Sequence, residues 1–135
     1  MLIHKTNYRV IYGDTDNMGQ VYYGNYLRWF EIGRNELFRS VGLAYKAVEE
    51  QGIFLPVAEV FCKYALPAKY DDLLVIETAL DVRVKGAIKF DYRIWREDGQ
   101  TLLAHGYTKH ACLNRQGKVV RPPSFIKQII EQNQP

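Results

Sequence analysis

The sequence predicts an α+β domain in which a five-stranded antiparallel sheet curls around one long helix. Apolar residues recur every three or four positions over residues 22–41, as they do in an amphipathic helix. After this segment, apolar and polar residues alternate in four long stretches joined mainly by short turns, a pattern typical of antiparallel strands. A sheet with one apolar face must be covered, and the long helix is the cover that the sequence offers.

The first third of the chain predicts a strand, a loop and a helix. Residues 7–12, NYRVIY, are aromatic and β-branched and predict the first strand. Residues 13–20 hold glycines, aspartates and an asparagine, which favour a loop. The helix over 22–41 ends at Gly42, a typical C-cap. The members of its apolar stripe are Tyr26, Phe30, Gly33, Leu37 and Val41, broadened by Leu27, Trp29 and Phe38.

The rest of the chain predicts four strands and a closing helix. The strands are predicted over residues 57–66, 73–84, 87–96 and 101–114. The Asp-Gly pair in EDGQ, residues 97–100, predicts a hairpin, whereas YALPAKYDD, residues 64–72, is interpreted as a strand end turning through Pro67. Pro122 and Pro123 predict the start of a short final helix. A sheet of this size exposes an edge and a second face, so we expect a homodimer or a higher oligomer.

The size and composition of the chain exclude several classes of protein. A chain of 135 residues, 47% of them hydrophobic, can bury a core of its own, so we expect a single domain over residues 1–135. The net charge of +3 is mild, and the lysines and arginines are interspersed with the acidic residues. This distribution argues against a nucleic-acid partner but is compatible with an anionic ligand such as a nucleotide. The absence of a secretory leader and of a membrane-length apolar run predicts a soluble cytoplasmic protein with no membrane partner.

Cysteine, serine and histidine are too sparse for most catalytic signatures. Cys62 and Cys112 lie fifty residues apart, which argues against a disulfide framework or a structural zinc site, and we expect neither a metal nor a cofactor. His105 and His110 must face opposite sides of a strand. His110 and Cys112 share a face, which allows a Cys–His pair or a two-ligand metal site, but a hydrogen-bonded histidine beside a buried thiol is the favoured interpretation.

Two further patterns leave alternatives open. Glu31 and Arg34 are three apart on the predicted helix, so an intrahelical ion pair is favoured over a role for Glu31 in an active site. The segment YGDTDNMGQVYYGNY, residues 12–26, concentrates acids and glycines at the start of that helix. An Asx turn formed by Asp14 or Asp16 would explain it.

The same segment also suits catalysis. The free N–H groups at a helix start would stabilise an oxyanion, and a nearby carboxylate could activate water or attack a carbonyl group. On this chemistry alone the two aspartates, Asp14 and Asp16, are equivalent candidates.

The segment YGDTDNMGQVYYGNYLRWFEIGRNEL, residues 12–37, resembles the signature of the 4-hydroxybenzoyl-CoA thioesterase family of hotdog-fold acyl-CoA thioesterases, especially its YbgC-like branch. YALPAKYDDLLVIET and the glycine in VRVKGAIKFDYRI also fall where that family places them. The resemblance implies a hotdog fold that dimerises through its sheet, often into tetramers. It further implies that Asp16, the second Asp of D-x-D-x-x-G, is the catalytic carboxylate and that the backbone N–H of Tyr23 polarises the thioester carbonyl. The YbgC-like branch often has His at the position of Tyr23, so this chain lacks that imidazole.

The activity that the resemblance implies is hydrolysis of acyl-CoA to a carboxylate and free CoA, with Asp16 as general base or nucleophile. We expect the acyl pocket between the helix of one subunit and strands of its partner, with Val60 and Phe61 as walls by resemblance. The candidates for contacts with the CoA phosphates are Lys89 and Lys85, which is beside Gly86; solvated charges at a strand turn are the alternative interpretation of these lysines. The alternatives are a non-catalytic acyl-CoA-binding hotdog protein and a hydrolase of acyl-carrier-protein thioesters.

Overall fold

A computed structural model describes residues 2–81 and 83–133, and its main sheet has the predicted five strands. The strands are β1 (Leu2–Arg9), β2 (Val57–Tyr64), β3 (Leu73–Asp81), β4 (Ile88–Arg96), β5 (Leu102–His110), β6 (Cys112–Leu113) and β7 (Val119–Val120). The helices are α1 (Asn25–Ser40), α2 (Tyr45–Glu50) and α3 (Ser124–Gln132). The sheet is antiparallel in the order β1-β3-β4-β5-β2, while β6 and β7 pair separately. Within the described residues no helix is both long and apolar enough to cross a membrane.

Helix α1 covers the concave face of the sheet, as predicted. Its buried residues are Tyr26, Trp29, Phe30, Gly33, Leu37 and Phe38. Phe30 stacks on Tyr92 of β4 with ring centroids 4.1 Å apart. At Gly33 the helix approaches β3 so closely that a Cβ atom would lie 2.3 Å from Thr78 Oγ1. The assignment of Leu27 to the buried stripe was wrong, because this side chain is 39% exposed.

The first strand lies earlier than predicted, over Leu2–Arg9 instead of residues 7–12. It pairs with β3 along its whole length, from Leu2 opposite Leu80 to Arg9 opposite Leu73. Its inward side chains include a histidine and a threonine, so the hydrophobic alternation that marks the other strands is weak here. Residues Tyr12–Asp14 form a single 3₁₀ turn instead of continuing the strand.

Other boundaries differ for local reasons. Strand β3 ends at Asp81, whose carboxylate accepts hydrogen bonds from the backbone and guanidinium of Arg83. Val82, inside the predicted strand 73–84, lies outside the described residues. Strand β5 ends at His110, so the predicted strand 101–114 is divided into β5 and β6. The hairpin at EDGQ is confirmed, with Gly99 at φ +69°.

A row of hydrogen bonds crosses the buried face beneath α1. His110 Nδ1 lies 2.9 Å from the Leu55 carbonyl oxygen, and His110 Nε2 lies 2.8 Å from Thr108 Oγ1. Tyr92 Oη lies 2.7 Å from the same Thr108 oxygen. Because a carbonyl only accepts, Nδ1 carries the proton, Thr108 donates to Nε2, and Tyr92 donates to Thr108. The favoured interpretation of His110, a hydrogen-bonded strand histidine, is therefore confirmed.

The predicted ion pair between Glu31 and Arg34 was wrong. Among the described residues no such pair lies within 4.0 Å, and Glu31 is exposed. The guanidinium of Arg34 lies instead near the Tyr92 hydroxyl, at the end of the buried row. The helix ion pair that forms is between Glu36 and Arg39.

Candidate active site

The loop before α1 folds back on itself as a small hairpin. Thr15 and Val21 form an antiparallel bridge, and the Asp16 N–H donates to the Gln20 carbonyl over 2.7 Å. Gly19 turns this hairpin at φ +76°, a conformation that favours glycine. The loop is thereby closed, and both aspartates lie at the same end of the domain as the start of α1.

Asp14 is a buried structural acid. Its side chain is only 3% exposed, and its Oδ2 accepts hydrogen bonds from the Tyr8 hydroxyl at 2.8 Å and from the Ile11 N–H at 3.0 Å. The Asp14 carbonyl accepts from the Tyr22 N–H and from Asn25 Nδ2. Asp14 thus connects β1, the 3₁₀ turn and the start of α1.

Asp16 is an exposed acid with one oxygen available. Its Oδ1 accepts from the N–H groups of Met18 at 2.8 Å and Gln20 at 3.3 Å, which makes it an Asx turn. Its Oδ2 has no hydrogen-bond partner in the part of the chain that the structure describes. The Asx turn therefore occupies one carboxylate oxygen of Asp16 and leaves the other exposed, so the structure distinguishes the two aspartates that the sequence chemistry left equivalent.

The start of α1 offers two unpaired backbone donors. The N–H groups of Tyr23 and Gly24 have no acceptor among residues 2–81 and 83–133. The next N–H groups, those of Asn25 and Tyr26, donate to the carbonyls of Tyr22 and Tyr23. Because the helix dipole also favours negative charge here, this end of α1 suits an oxyanion.

A cavity of about 390 Å³ opens beside these donors, between the start of α1 and the end of β2. Its lining residues are Gln20, Val21, Tyr23, Tyr26, Tyr64, Ala65, Leu66 and Pro67. Asp16 is not among the lining residues, but it is hydrogen-bonded to one of them: its N–H donates to the Gln20 carbonyl, and its Oδ1 accepts from the Gln20 N–H. Most of its lining side chains are aromatic or aliphatic, and polar groups also contribute to its wall.

Two tyrosine hydroxyls connect the walls of the cavity. The Tyr64 hydroxyl donates to the Tyr23 carbonyl over 3.1 Å, and the Tyr26 hydroxyl accepts from the buried Ala68 N–H over 3.1 Å. Burial raises the pKa of Tyr64 to about 12 and also raises the pKa of Tyr26. Both phenols therefore remain protonated, and uncharged, at neutral pH.

No cluster of three or more metal-ligating side chains exists within residues 2–81 and 83–133. Cys112 is fully buried, and burial raises the pKa of its thiol, so it is a poor nucleophile where it lies. His110 is used on both ring nitrogens by Leu55 and Thr108. The carboxylate and the backbone donors described above are thus the chemistry that this end of the domain offers.

Over residues 10–130 the sequence matches the Thioesterase-like superfamily. The chain belongs to this superfamily. It is 37% identical over 123 residues to the acyl-CoA thioesterase YbgC of Haemophilus influenzae, a match that covers 90% of this chain and 87% of that protein.

Solved thioesterase structures confirm the hotdog fold. A DHNA-CoA thioesterase from Staphylococcus aureus matches with a TM-score of 0.88 at 26% identity and covers 98% of this chain and 91% of that chain. A 4-hydroxybenzoyl CoA thioesterase from a Pseudomonas species matches with a TM-score of 0.84 at 23% identity, covering 96% and 99%. The second likeness supports the fold alone.

The two predicted wall residues of this hotdog domain face opposite sides of the sheet, because they are consecutive in β2. Val60 lies on the α1 side, opposite Thr108, and Phe61 lies on the outer side, where its ring stacks on Tyr107. Neither residue lines the cavity at Tyr23. Both are more than 40% exposed.

Lys85 and Gly86 lie far from the cavity within the same hotdog subunit. They line a groove of about 870 Å³ between the β3–β4 connection and the start of α3, together with three further cations, Arg83, Arg121 and Lys127. The groove residue Ile88 is level with His110 and Val57, whereas Tyr64 is at the other end of β2. Six residues of β5, from His110 to Ala104, separate the two levels, about 20 Å.

Lys89 does not line this groove. Its ammonium group lies on the outer face of the sheet, 3.2 Å from Asp91 and 4.9 Å from the centre of the Tyr107 ring. The Lys89 ammonium group is therefore already engaged by a carboxylate and an aromatic ring within this chain.

Sequence reasoning missed the contribution of residues 64–72 to the site. This segment was interpreted as a turn, yet Tyr64, Leu66 and Pro67 form one wall of the cavity, and Ala68 binds both the Tyr26 hydroxyl and the Val21 N–H. The sequence gives only a weak indication of this wall. The alternation of residues in β2 places Tyr64 on the face towards the helix, but no pattern in the sequence pairs Tyr64 with Tyr23.

Proposed function

We propose that this protein hydrolyses acyl-CoA thioesters to a carboxylate and free CoA. The observation that carries the proposal is the pair of unpaired N–H groups at Tyr23 and Gly24, which directly follow the closed loop that holds an exposed carboxylate oxygen of Asp16. Membership of the thioesterase-like superfamily and the likeness to a relative named acyl-CoA thioesterase YbgC support it.

In the proposed reaction the thioester carbonyl oxygen binds the N–H groups of Tyr23 and Gly24. Asp16 Oδ2 takes a proton from water as the water oxygen bonds to the carbonyl carbon, and the negative charge moves to the carbonyl oxygen. The C–S bond then breaks, and the CoA thiolate takes up the proton held by Asp16. In the nucleophilic route, Oδ2 itself bonds to the carbon, the thiolate leaves, and water hydrolyses the resulting anhydride.

A dimer through β2 would complete this site. Strand β2 is a sheet edge with apolar side chains exposed, and antiparallel pairing of two such edges would place the Val57 end of one subunit beside the Tyr64 end of the other. The cationic groove of the partner would then lie level with the cavity, where it could bind the phosphate end of CoA. Lys85, Gly86 and the neighbouring arginines suit its phosphates. Assembly of two dimers into a tetramer stays a prediction.

The proposal is tested by measuring thiol release with a chromogenic disulfide from a panel of acyl-CoA and aroyl-CoA thioesters. Asp16→Asn should lower kcat by at least about a hundredfold, because general-base catalysis typically contributes that much. Asp98→Asn is the matched control, since Asp98 also accepts backbone N–H groups in an exposed turn but lies in the β4–β5 hairpin. It should retain the wild-type kcat.

Three outcomes would contradict the proposal or its details. Binding of acyl-CoA without thiol release by the wild type would indicate a non-catalytic binding protein, and release from carrier-protein thioesters only would indicate a different substrate class. Wild-type turnover by Asp16→Asn would remove Asp16 from the chemistry. Single turnover in ¹⁸O-labelled water tests for the nucleophilic route: label in the Asp16 carboxylate requires an anhydride that water opens at the aspartyl carbon, whereas the general-base route places the label in the product alone.

A further inference from the structure

The peptide unit between Tyr23 and Gly24 is hydrogen-bonded at one end and unpaired at the other. Its N–H, that of Gly24, has no acceptor among the described residues. Its carbonyl, that of Tyr23, accepts two hydrogen bonds, from the Tyr26 N–H at 3.3 Å and from the Tyr64 hydroxyl at 3.1 Å. The second donor comes from the sheet, forty-one positions away along the chain.

The neighbouring peptide unit, between Tyr22 and Tyr23, lacks this support. Its carbonyl accepts only the Asn25 N–H, at 2.9 Å, among the described residues, and no side chain donates to it. The Tyr64 hydroxyl therefore acts selectively on one of the two candidate oxyanion donors.

We infer that Tyr64 is a positioning residue for catalysis, whose hydroxyl polarises and orients the Tyr23–Gly24 peptide so that the Gly24 N–H becomes a stronger oxyanion donor. The inference rests on the proposed thioester hydrolysis. A donor at a peptide carbonyl shifts electron density away from the N–H of the same unit, and chains of hydrogen bonds strengthen one another in this way. The gain is larger for the oxyanion of the transition state than for the neutral carbonyl of the substrate, so it raises kcat more than it lowers KM.

The Tyr64 side chain is suited to this role. Its ring lies edge-on to Tyr26, with centroids 5.0 Å apart, and edge-on to Tyr23 at 6.3 Å. These contacts hold the ring in place without the hydroxyl, so Tyr64→Phe isolates the hydrogen bond. Burial keeps the pKa of Tyr64 near 12, so the hydroxyl remains a donor over the whole pH range of a thioesterase assay.

The first test compares Tyr64→Phe with Tyr45→Phe. Tyr45 is a matched control because its hydroxyl also donates to a backbone carbonyl, that of Leu55 at 3.2 Å, but lies outside the cavity. Tyr64→Phe should lower kcat about two- to eightfold with KM unchanged, because what is lost is a strengthening of roughly 10–30% in a hydrogen bond to the oxyanion. Tyr45→Phe should leave kcat unchanged.

The second test replaces Tyr64 by 3-fluorotyrosine, whose hydroxyl is a stronger donor of nearly the same shape. Turnover at or above the wild-type kcat is expected, because the effect follows donor strength and not packing. The inference is overturned if Tyr64→Phe retains the wild-type kcat, if its loss lies in KM alone, or if Tyr45→Phe loses as much. If the wild type is active, Asp16→Asn is not, and Tyr64→Phe keeps the wild-type kcat, then this inference alone is overturned. If the wild type releases no thiol, the proposed function is overturned with it.

Discussion

Replacing Asp14 by alanine should lower the stability of the domain without abolishing thioester hydrolysis. The Asp14 carboxylate is buried and accepts hydrogen bonds from the Tyr8 hydroxyl and the Ile11 N–H. Alanine leaves both donors without a partner, at about 1–3 kcal/mol each. Tyr8 is only half-buried and its hydroxyl can turn to water, so we place the total loss at about 2–4 kcal/mol.

That loss translates into a measurable shift in the melting temperature. Unfolding entropies of about 2.1 cal/mol/K per residue give about 0.28 kcal/mol/K for 135 residues. The Asp14→Ala variant should therefore melt roughly 7–14 °C below the wild type. Asp16→Ala should melt within about 2 °C of the wild type, because exposed substitutions usually cost at most about 0.5 kcal/mol.

The assay pairs thermal melting with thiol release at a temperature where every variant is folded. Asp14→Ala should retain most of the wild-type kcat per folded molecule, whereas Asp16→Ala should lose it. The reasoning is refuted if Asp14→Ala keeps its melting temperature and loses turnover, since Asp14 would then be the chemical acid and Asp16 the turn acid.

Three further predictions concern packing, pH and assembly. Gly33→Ala should lower the free energy of unfolding by about 1–2 kcal/mol in chemical denaturation, because overpacking against Thr78 outweighs the higher helix propensity of alanine. The loss should be smaller in a Thr78→Ala background. An unchanged free energy of unfolding for Gly33→Ala would show that α1 shifts freely and would contradict the prediction. Burial lowers the pKa of His110, so as the pH falls the unfolded state binds a proton at this histidine before the folded state does. The free energy of unfolding should therefore fall by up to about 1.4 kcal/mol per pH unit below about pH 6.5. His110→Gln should flatten this pH dependence, and an equally steep curve for the variant would contradict the prediction. Val60→Lys should convert dimers to monomers in light scattering and abolish turnover, and an active monomer would refute the shared site.

The helix and the sheet could be predicted because their patterns are local. The apolar stripe from Tyr26 to Leu37 and the alternation in β3 and β4 each satisfy a period within one segment, and these faces are buried as predicted. The position of β1 could not be read in this way. Its inner face carries His4 and Thr6, and its register comes from eight pairings with β3, more than sixty residues later in the chain.

The site was predictable only in part for the same reason. Its loop and its helix start are contiguous in sequence, so the concentration of acids and glycines marked them. The contact of Tyr64 with Tyr23 and the binding of Ala68 to Tyr26 join segments about forty residues apart, and no local pattern encodes such contacts. The difference between Asp14 and Asp16 is likewise tertiary, since it depends on Tyr8 reaching one carboxylate and leaving the other in solvent.

Dimerisation would account both for the exposed edge strand β2 and for the separation between the cavity and the cationic groove. Within one chain the backbone donors of Tyr23 and Gly24 lie near Tyr64, whereas the cationic groove lies towards the other end of the strands, about 20 Å away. The same strand exposes Val57, Val60 and Phe61, which a stable monomer would be expected to bury or replace by charges. Antiparallel pairing of two β2 edges would give these side chains cross-strand neighbours and would bring each groove level with the cavity of the other subunit. Dimerisation would then be required for catalysis, and both sites of the dimer should be lost together when one edge is blocked.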